Sequence, residues 1–258
     1  VVFFIKNLFL SFFLWFQNFI TNNIRVSLSS RLFKNYLNQN YLIFLKENFG
    51  DTVRNLRVEA MRYGSLLLQY INLINEIFVI IGLLILLFFN NKELSYIFFS
   101  IIIFSSALYL FLTNKKIKKV GEIRFSSEGK AINYILEGLN AFREIKLRGL
   151  ENKIIKSFNK ENQTYSSAST KGSFISELPK LWLEFLSVVI FIIFVIYLDS
   201  QLSSKEDTLI LLGLLAGICF RTIPSIKKII VSINKIKFSL PSIDALTNIS
   251  NSFDNLKI

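Results

Sequence analysis

The chain has 258 residues, 52% of them hydrophobic, and carries 30 Lys plus Arg against 18 Asp plus Glu, a net charge of +12. A chain this apolar and this basic must segregate the two kinds of residue along its length, as membrane proteins do, instead of mixing them around a soluble core. It has no histidine and one cysteine, Cys219 inside an apolar run, which excludes a disulfide framework and the commonest ingredients of a metal or hydrolytic centre.

Residues 1–20, in which only Lys6 is charged, read as a first membrane span. A signal peptide would need a basic leader and a small-residue cleavage site, and neither is present. Val1 is not an initiator methionine and the apolar run is already under way there, so the sequence reads as a piece of a longer chain. Residues 71–89 form a second candidate span. The third, "LSYIFFSIIIFSSALYLFL" at 94–112, has no charge, and the fourth, "LWLEFLSVVIFIIFVIYL" at 181–198, has one. At about 1.5 Å per residue each crosses most of a hydrocarbon core roughly 30 Å thick. Residues 208–220, extended through Pro224 to 231, supply a fifth. Cys219 reads as a small buried hydrophobe within it.

Basic residues collect at 25–62, 115–180 and 221–258, and these regions therefore face the cytosol, with "NNKE" at 90–93 and "DSQLSSKED" at 199–207 as short external turns. The first span then starts outside, and a parent protein beginning in the cytosol would need one more span before Val1. The cytosolic regions keep helical spacing. Val53, Leu56, Ala60, Gly64, Leu67, Ile71 and Ile74 recur every three or four residues, so the helix entering the membrane near Ile71 is predicted to begin near Val53. Ile132, Ile135, Leu136 and Leu139 carry the next stripe outward, and Leu150, Ile154 and Phe158 carry one back toward Pro179.

Two cytosolic elbows follow, "FLKENFGDTVRN" at 44–55 and "NAFREIKLRGLE" at 140–151. Read from the residues alone they can be plain helix turns, with Gly50 and Gly149 as C-caps and solvated charges, or docking elements. The resemblance bears on that choice. Long helical hairpins ending in paired elbows, with "EGLNAFREIKLRGLE" after the third span of this chain, resemble the transmembrane domain of ABC exporters of the six-helix, domain-swapped kind. The likeness covers essentially all of residues 1–258, as helices two to six of that domain. "LPKLWLEFLSVVIFIIFVIYL" and "CFRTIPSIKKIIVSINKIKFSLPSIDAL" are similar to the branch that flips lipid-linked oligosaccharides and related polysaccharides.

The resemblance implies an all-α membrane bundle with long cytosolic extensions and two coupling helices. It implies that Phe49, Gly50 and Asp51 in one elbow, and Phe142, Arg143 and Glu144 in the other, touch a nucleotide-binding domain. It also implies a second transmembrane half, expected to be a second copy of the chain, and a bacterial inner membrane, which the Ile-, Lys-, Asn- and Phe-rich composition favours. The sequence contains no G-x-x-x-x-G-K-[ST] loop. ATP and magnesium therefore belong to an adjoining domain and no cofactor is expected in this chain. A drug, lipid or peptide exporter shares the architecture, and a non-transporting scaffold or channel is the competitor from another class. Nucleic acid is excluded as a partner, because the aromatic residues are mostly Phe within spans instead of alternating with Arg or Lys.

Three charges stand within or at the mouths of spans. Arg221 follows "TLILLGLLAGICF", where a charge costs about 2.5–3.5 kcal/mol on insertion scales. It either snorkels to the headgroups or contacts an anionic substrate in an inward-facing cavity. Lys180 either pairs with Glu184, four residues on, or joins Arg221 in a cationic vestibule for a pyrophosphate. Glu76, in the second span with Asn72 and Asn75, reads as an interhelical hydrogen-bond partner rather than a transport residue.

Overall fold

The computed structural model describes residues 1–41, 48–90, 92–201 and 205–255. The described residues are almost all helical and contain no strand, with the elements α1 (Val2–Leu37), α2 (Phe49–Arg54), a π-helical turn (Asn55–Glu59), α3 (Ala60–Asn90), α4 (Lys92–Asn140), α5 (Phe142–Arg148), α6 (Glu151–Gln201) and α7 (Lys205–Asn255). Helices pair most of their backbone groups internally, the condition a bilayer imposes on whatever crosses it.

Among the described residues three helices are long and apolar enough to cross a membrane: Val2–Leu37, Phe49–Asn90 and Ser95–Asn140. They carry the first three expected spans. The expected spans at 181–198 and 208–220 fall on α6 and α7, and part of each lies outside the described side chains; so does residue 91, at the tip of the first external turn, and 202–204, within the second. Along α1 the exposed Phe12, Trp15, Phe16 and Phe19 stack on one another at helical spacing, with Trp15 and Phe19 ring centroids 5.3 Å apart. Such a surface is stable only against lipid or another apolar face.

The helices do not stop at the bilayer. α4 runs unbroken for 49 residues, about 73 Å at 1.5 Å per residue. The helix predicted to start near Val53 starts four residues earlier, at Phe49, because the Asn48 side chain accepts the Gly50 amide at 3.0 Å and caps it. Gly50 therefore belongs to a first turn and is not a C-cap. Its φ is not positive, and the space a Cβ would need is filled by Asn133.

The chain divides into two compact units, one of residues 1–69, 117–172 and 236–258, the other of residues 70–116 and 173–235. In the first, α2 and the π-turn are fastened by buried charge. Arg54 lies 3.0 Å from Asp51 and 4.2 Å from the centroid of the Phe125 ring. Arg62 reaches Glu59 at 2.8 Å and Glu128 of α4 at 2.7 Å. Arg124 stacks on Phe238 of α7 and donates to Ser242 at 3.3 Å. Gly121 lets α4 approach α7 here, since a Cβ would overlap the Phe238 carbonyl.

The second unit has an apolar core of Leu87, Phe98, Phe99, Ile102, Leu183, Ile190, Ile218, Cys219, Ile226 and Ile230. Cys219 is buried there as a free thiol, as its apolar surroundings predict. The Trp182 indole N–H donates to Ser105 at 2.7 Å, tying α6 to α4. Pro179 sits within α6 and removes the amide that would pair with the Ile175 carbonyl. The Tyr109 hydroxyl donates to that carbonyl instead, at 2.6 Å.

Candidate functional site

The second unit holds a group of charges on α3 and α7. Glu76 of α3 is almost completely buried, on the apolar stretch that enters the membrane. A carboxylate persists in such a place only when cations or donors satisfy it. Two residues of α7 do so: Lys228 Nζ lies 2.7 Å from Glu76 Oε1, and an Arg221 terminal nitrogen lies 3.9 Å from Oε2. The first is a charge-assisted hydrogen bond; the second is too long for one and acts through charge alone. Seven residues apart, Arg221 and Lys228 share a helix face. Pro224 between them removes the donor for the Phe220 carbonyl, and the Ser225 hydroxyl donates to the Arg221 carbonyl at 3.1 Å.

Glu76 is thus the interhelical hydrogen-bond partner its setting predicted. It is also the centre of the cluster, a place that its sequence context alone does not assign to it or to Lys228. The signal was present, since a lone carboxylate in a span demands a cation and Lys228 is Arg221 displaced by two helical turns.

Lys180 is placed differently. It stands 4.0 Å from Glu184, both side chains more than half exposed, the weak surface pair that the four-residue spacing allows. Among the described residues no ion pair joins it to Arg221. Lys227, the neighbour of Lys228, faces Glu177 at 4.0 Å. Between α6 and α7 an apolar groove of about 490 Å³ is lined by residues that include Glu184, Phe191, Cys219, Phe220 and Pro224, and by neither Lys180 nor Arg221.

The elbows belong to the first unit. In the first, residues 44–47 lie outside the described residues; of the remainder, Phe49 is exposed, Gly50 is buried and Asp51 pairs with Arg54. The second elbow is α5, with Phe142, Arg143 and Glu144 all exposed. Gly149, at φ +64, ends it in the left-handed conformation. The Gly149 amide returns to the Lys146 carbonyl and the Leu150 amide to the Ile145 carbonyl, the Schellman arrangement. Gly149 is therefore the C-cap its position predicted. Lys146 bridges to Glu151 at 2.9 Å, and the Glu151 carboxyl is held below its ordinary value by its own backbone amide and by Lys146.

The family model of the ABC transporter transmembrane region matches residues 1–219. The chain belongs to that family. Among solved structures it is similar to one titled "Structure of a bacterial Atm1-family ABC exporter with ATP bound", with a TM-score of 0.71, 13% identity and coverage of 91% of this chain. At that identity the likeness is one of fold, and the fold is that of an ABC exporter transmembrane bundle. The chain spans 41% of the length of that exporter.

Within an ABC transmembrane region, the two units separate two kinds of surface. The elbows present an exposed aromatic residue, Phe49 or Phe142, beside charges. The Glu76 cluster presents two cations of α7 around one buried carboxylate. Among the described residues no group of His, Cys, Asp and Glu is arranged to hold a metal ion.

Proposed function

We propose that this chain is the membrane-crossing part of an ATP-driven exporter that moves an amphiphile with an anionic head, a lipid-linked oligosaccharide or a close relative, across a bacterial inner membrane. The observation that carries the reading is the surplus of positive charge on α7, where Arg221 and Lys228 meet a single buried carboxylate. A pyrophosphate entering a bilayer must exchange water for fixed cations, and charge-assisted hydrogen bonds are the strong ones available to it.

The sequence lacks a phosphate-binding loop, so nucleotide chemistry is assigned to an adjoining nucleotide-binding domain, fused or separate, with a second copy of the chain completing the bundle. ATP and magnesium bound there would shift the packing between inward- and outward-facing states. In this reading Phe49, Gly50 and Asp51, with Phe142, Arg143 and Glu144, receive that shift, and Lys180 serves as an outlying cation on the approach to Arg221.

A second reading, export of a cationic drug-like amphiphile, draws on the apolar groove that Glu184 borders. The full-length protein in liposomes discriminates between them. Polyprenyl-pyrophosphate glycans should stimulate ATP hydrolysis and be flipped, whereas stimulation by cationic amphiphiles alone selects the second reading. Passage of solute without ATP would make the protein a channel.

A further inference from the structure

The cations that would receive cargo are not vacant, because a carboxylate of the protein already sits between them. Glu76 is only 3% exposed at its side chain, while Arg221 and Lys228 are 47% and 58% exposed. The carboxylate is thus sealed inside the helices and the cations are open to an approaching ligand. The contacts are also unequal. Lys228 is hydrogen-bonded to Glu76 at 2.7 Å, whereas Arg221, at 3.9 Å, feels the charge but has no hydrogen bond to it. Its planar fork remains available to two oxygens at once. One carboxylate against two cations leaves a net charge of +1, so the cluster holds room for an anion without becoming neutral first.

We infer that Glu76 is a built-in competitor of the transported anion: it holds Lys228 and attracts Arg221 when cargo is absent, shares the two cations with a phosphate or diphosphate headgroup when cargo arrives, and draws them back to expel it. The inference rests on the exporter reading for the identity of the cargo. The exchange itself follows from the geometry, since both side chains of α7 are long enough to swing between a buried oxygen and an exposed one. A protein carboxylate and a phosphoryl group compete for the same donors. Affinity and release are then opposed by design, because a site without the competitor would hold its anion too well to pass it on.

The test uses the full-length protein in phosphatidylcholine nanodiscs, its nucleotide sites filled with ADP, titrated with farnesyl diphosphate and, separately, with inorganic diphosphate. Glu76→Gln, which keeps size and removes charge, should bind farnesyl diphosphate about tenfold more tightly than the unaltered protein while turning over more slowly in ATP-driven flipping. Glu76→Asp, which withdraws the charge by one methylene, should fall between them. Replacing Arg221 and Lys228 together by Gln should abolish the gain. An equal gain for inorganic diphosphate assigns the site to the free anion, and a gain confined to the farnesyl compound assigns it to a lipid headgroup; either outcome upholds the exchange. Unchanged or weaker binding in a Glu76→Gln or Glu76→Asp protein that melts as the original does would overturn it. If the order of affinities holds but no substrate is moved by ATP, the exchange stands and the exporter reading falls.

Discussion

The Tyr109 hydroxyl donates to the Ile175 carbonyl at 2.6 Å, and Ile175 is the residue whose acceptor Pro179 leaves unpaired four positions on. A side chain of α4 therefore repairs a defect in α6. Removing the hydroxyl by Tyr109→Phe strands a carbonyl in a part-buried setting, which costs about 1–3 kcal/mol. In a Pro179→Ala background the restored amide takes over the acceptor, so the same substitution should cost much less. Thermal unfolding of the four proteins in detergent measures the difference, and an equal loss in both backgrounds would show that the tyrosine is not serving the proline.

Arg62 is the hub of the first unit, holding Glu59 and Glu128 at once. Glu59 is fully buried, so Arg62→Met leaves its carboxylate, among the described residues, with the longer ion pair to Arg54 at 3.8 Å and the field of Arg124. Breaking a buried pair from one side costs about 3–5 kcal/mol, whereas removing both charges costs far less. The melting temperature of Arg62→Met should fall sharply, and Glu59→Gln added to it should recover part of the loss. A double variant no more stable than the single one would mean that Glu59 is already neutralised by Arg54.

These relationships differ in how far the residues announce them. The three-to-four spacing from Val53 to Ile74 showed a helix far longer than a bilayer needs, because periodicity survives whatever surrounds it. The start at Phe49 is set by Asn48, a capping residue, and the apolar stripe that begins at Val53 does not mark it. The π-turn at Asn55–Glu59 was not legible, since one extra residue in a turn shifts the register without breaking an apolar stripe. In the candidate site Arg221 was legible as a costly charge. Its sharing of Glu76 with Lys228 depends on which face of α3 meets α7, and that is a property of packing.

The second elbow offers a separable test of coupling. Phe142 is exposed on α5 and Lys146 lies 6.0 Å from its ring centroid, so it contributes little to the fold of this chain and is free to enter a groove on a nucleotide-binding domain. Phe142→Ala should leave membrane insertion and melting temperature intact while lowering the amount of substrate moved per ATP hydrolysed. Gly149→Ala acts through shape instead: the left-handed φ of +64 costs a residue with a Cβ roughly 1 kcal/mol, and Gly149→Asn should be milder. Unaltered transport stoichiometry in Phe142→Ala would remove the elbow from the coupling route.

Arg221 provides the sharpest test of the cargo reading, because charge and shape can be separated there. Its guanidinium lies 3.9 Å from Glu76, close enough to be held in place and too far to be hydrogen-bonded, so its donors are available to a phosphate. Arg221→Lys keeps the charge and replaces the planar fork by a single ammonium, while Arg221→Ala removes both. In proteoliposomes carrying the full-length protein, Arg221→Ala should lose most flipping of a lipid-linked pyrophosphate glycan and Arg221→Lys should retain an intermediate rate. Lys180→Ala should have a smaller effect than either, since Lys180 stands at an exposed pair with Glu184 and contributes only through a screened field. A rate unaffected by both Arg221 variants would show that the anionic head does not meet α7 at this position. Equal and complete loss in both would show that the fork itself, with its two parallel donors, is what the pyrophosphate requires.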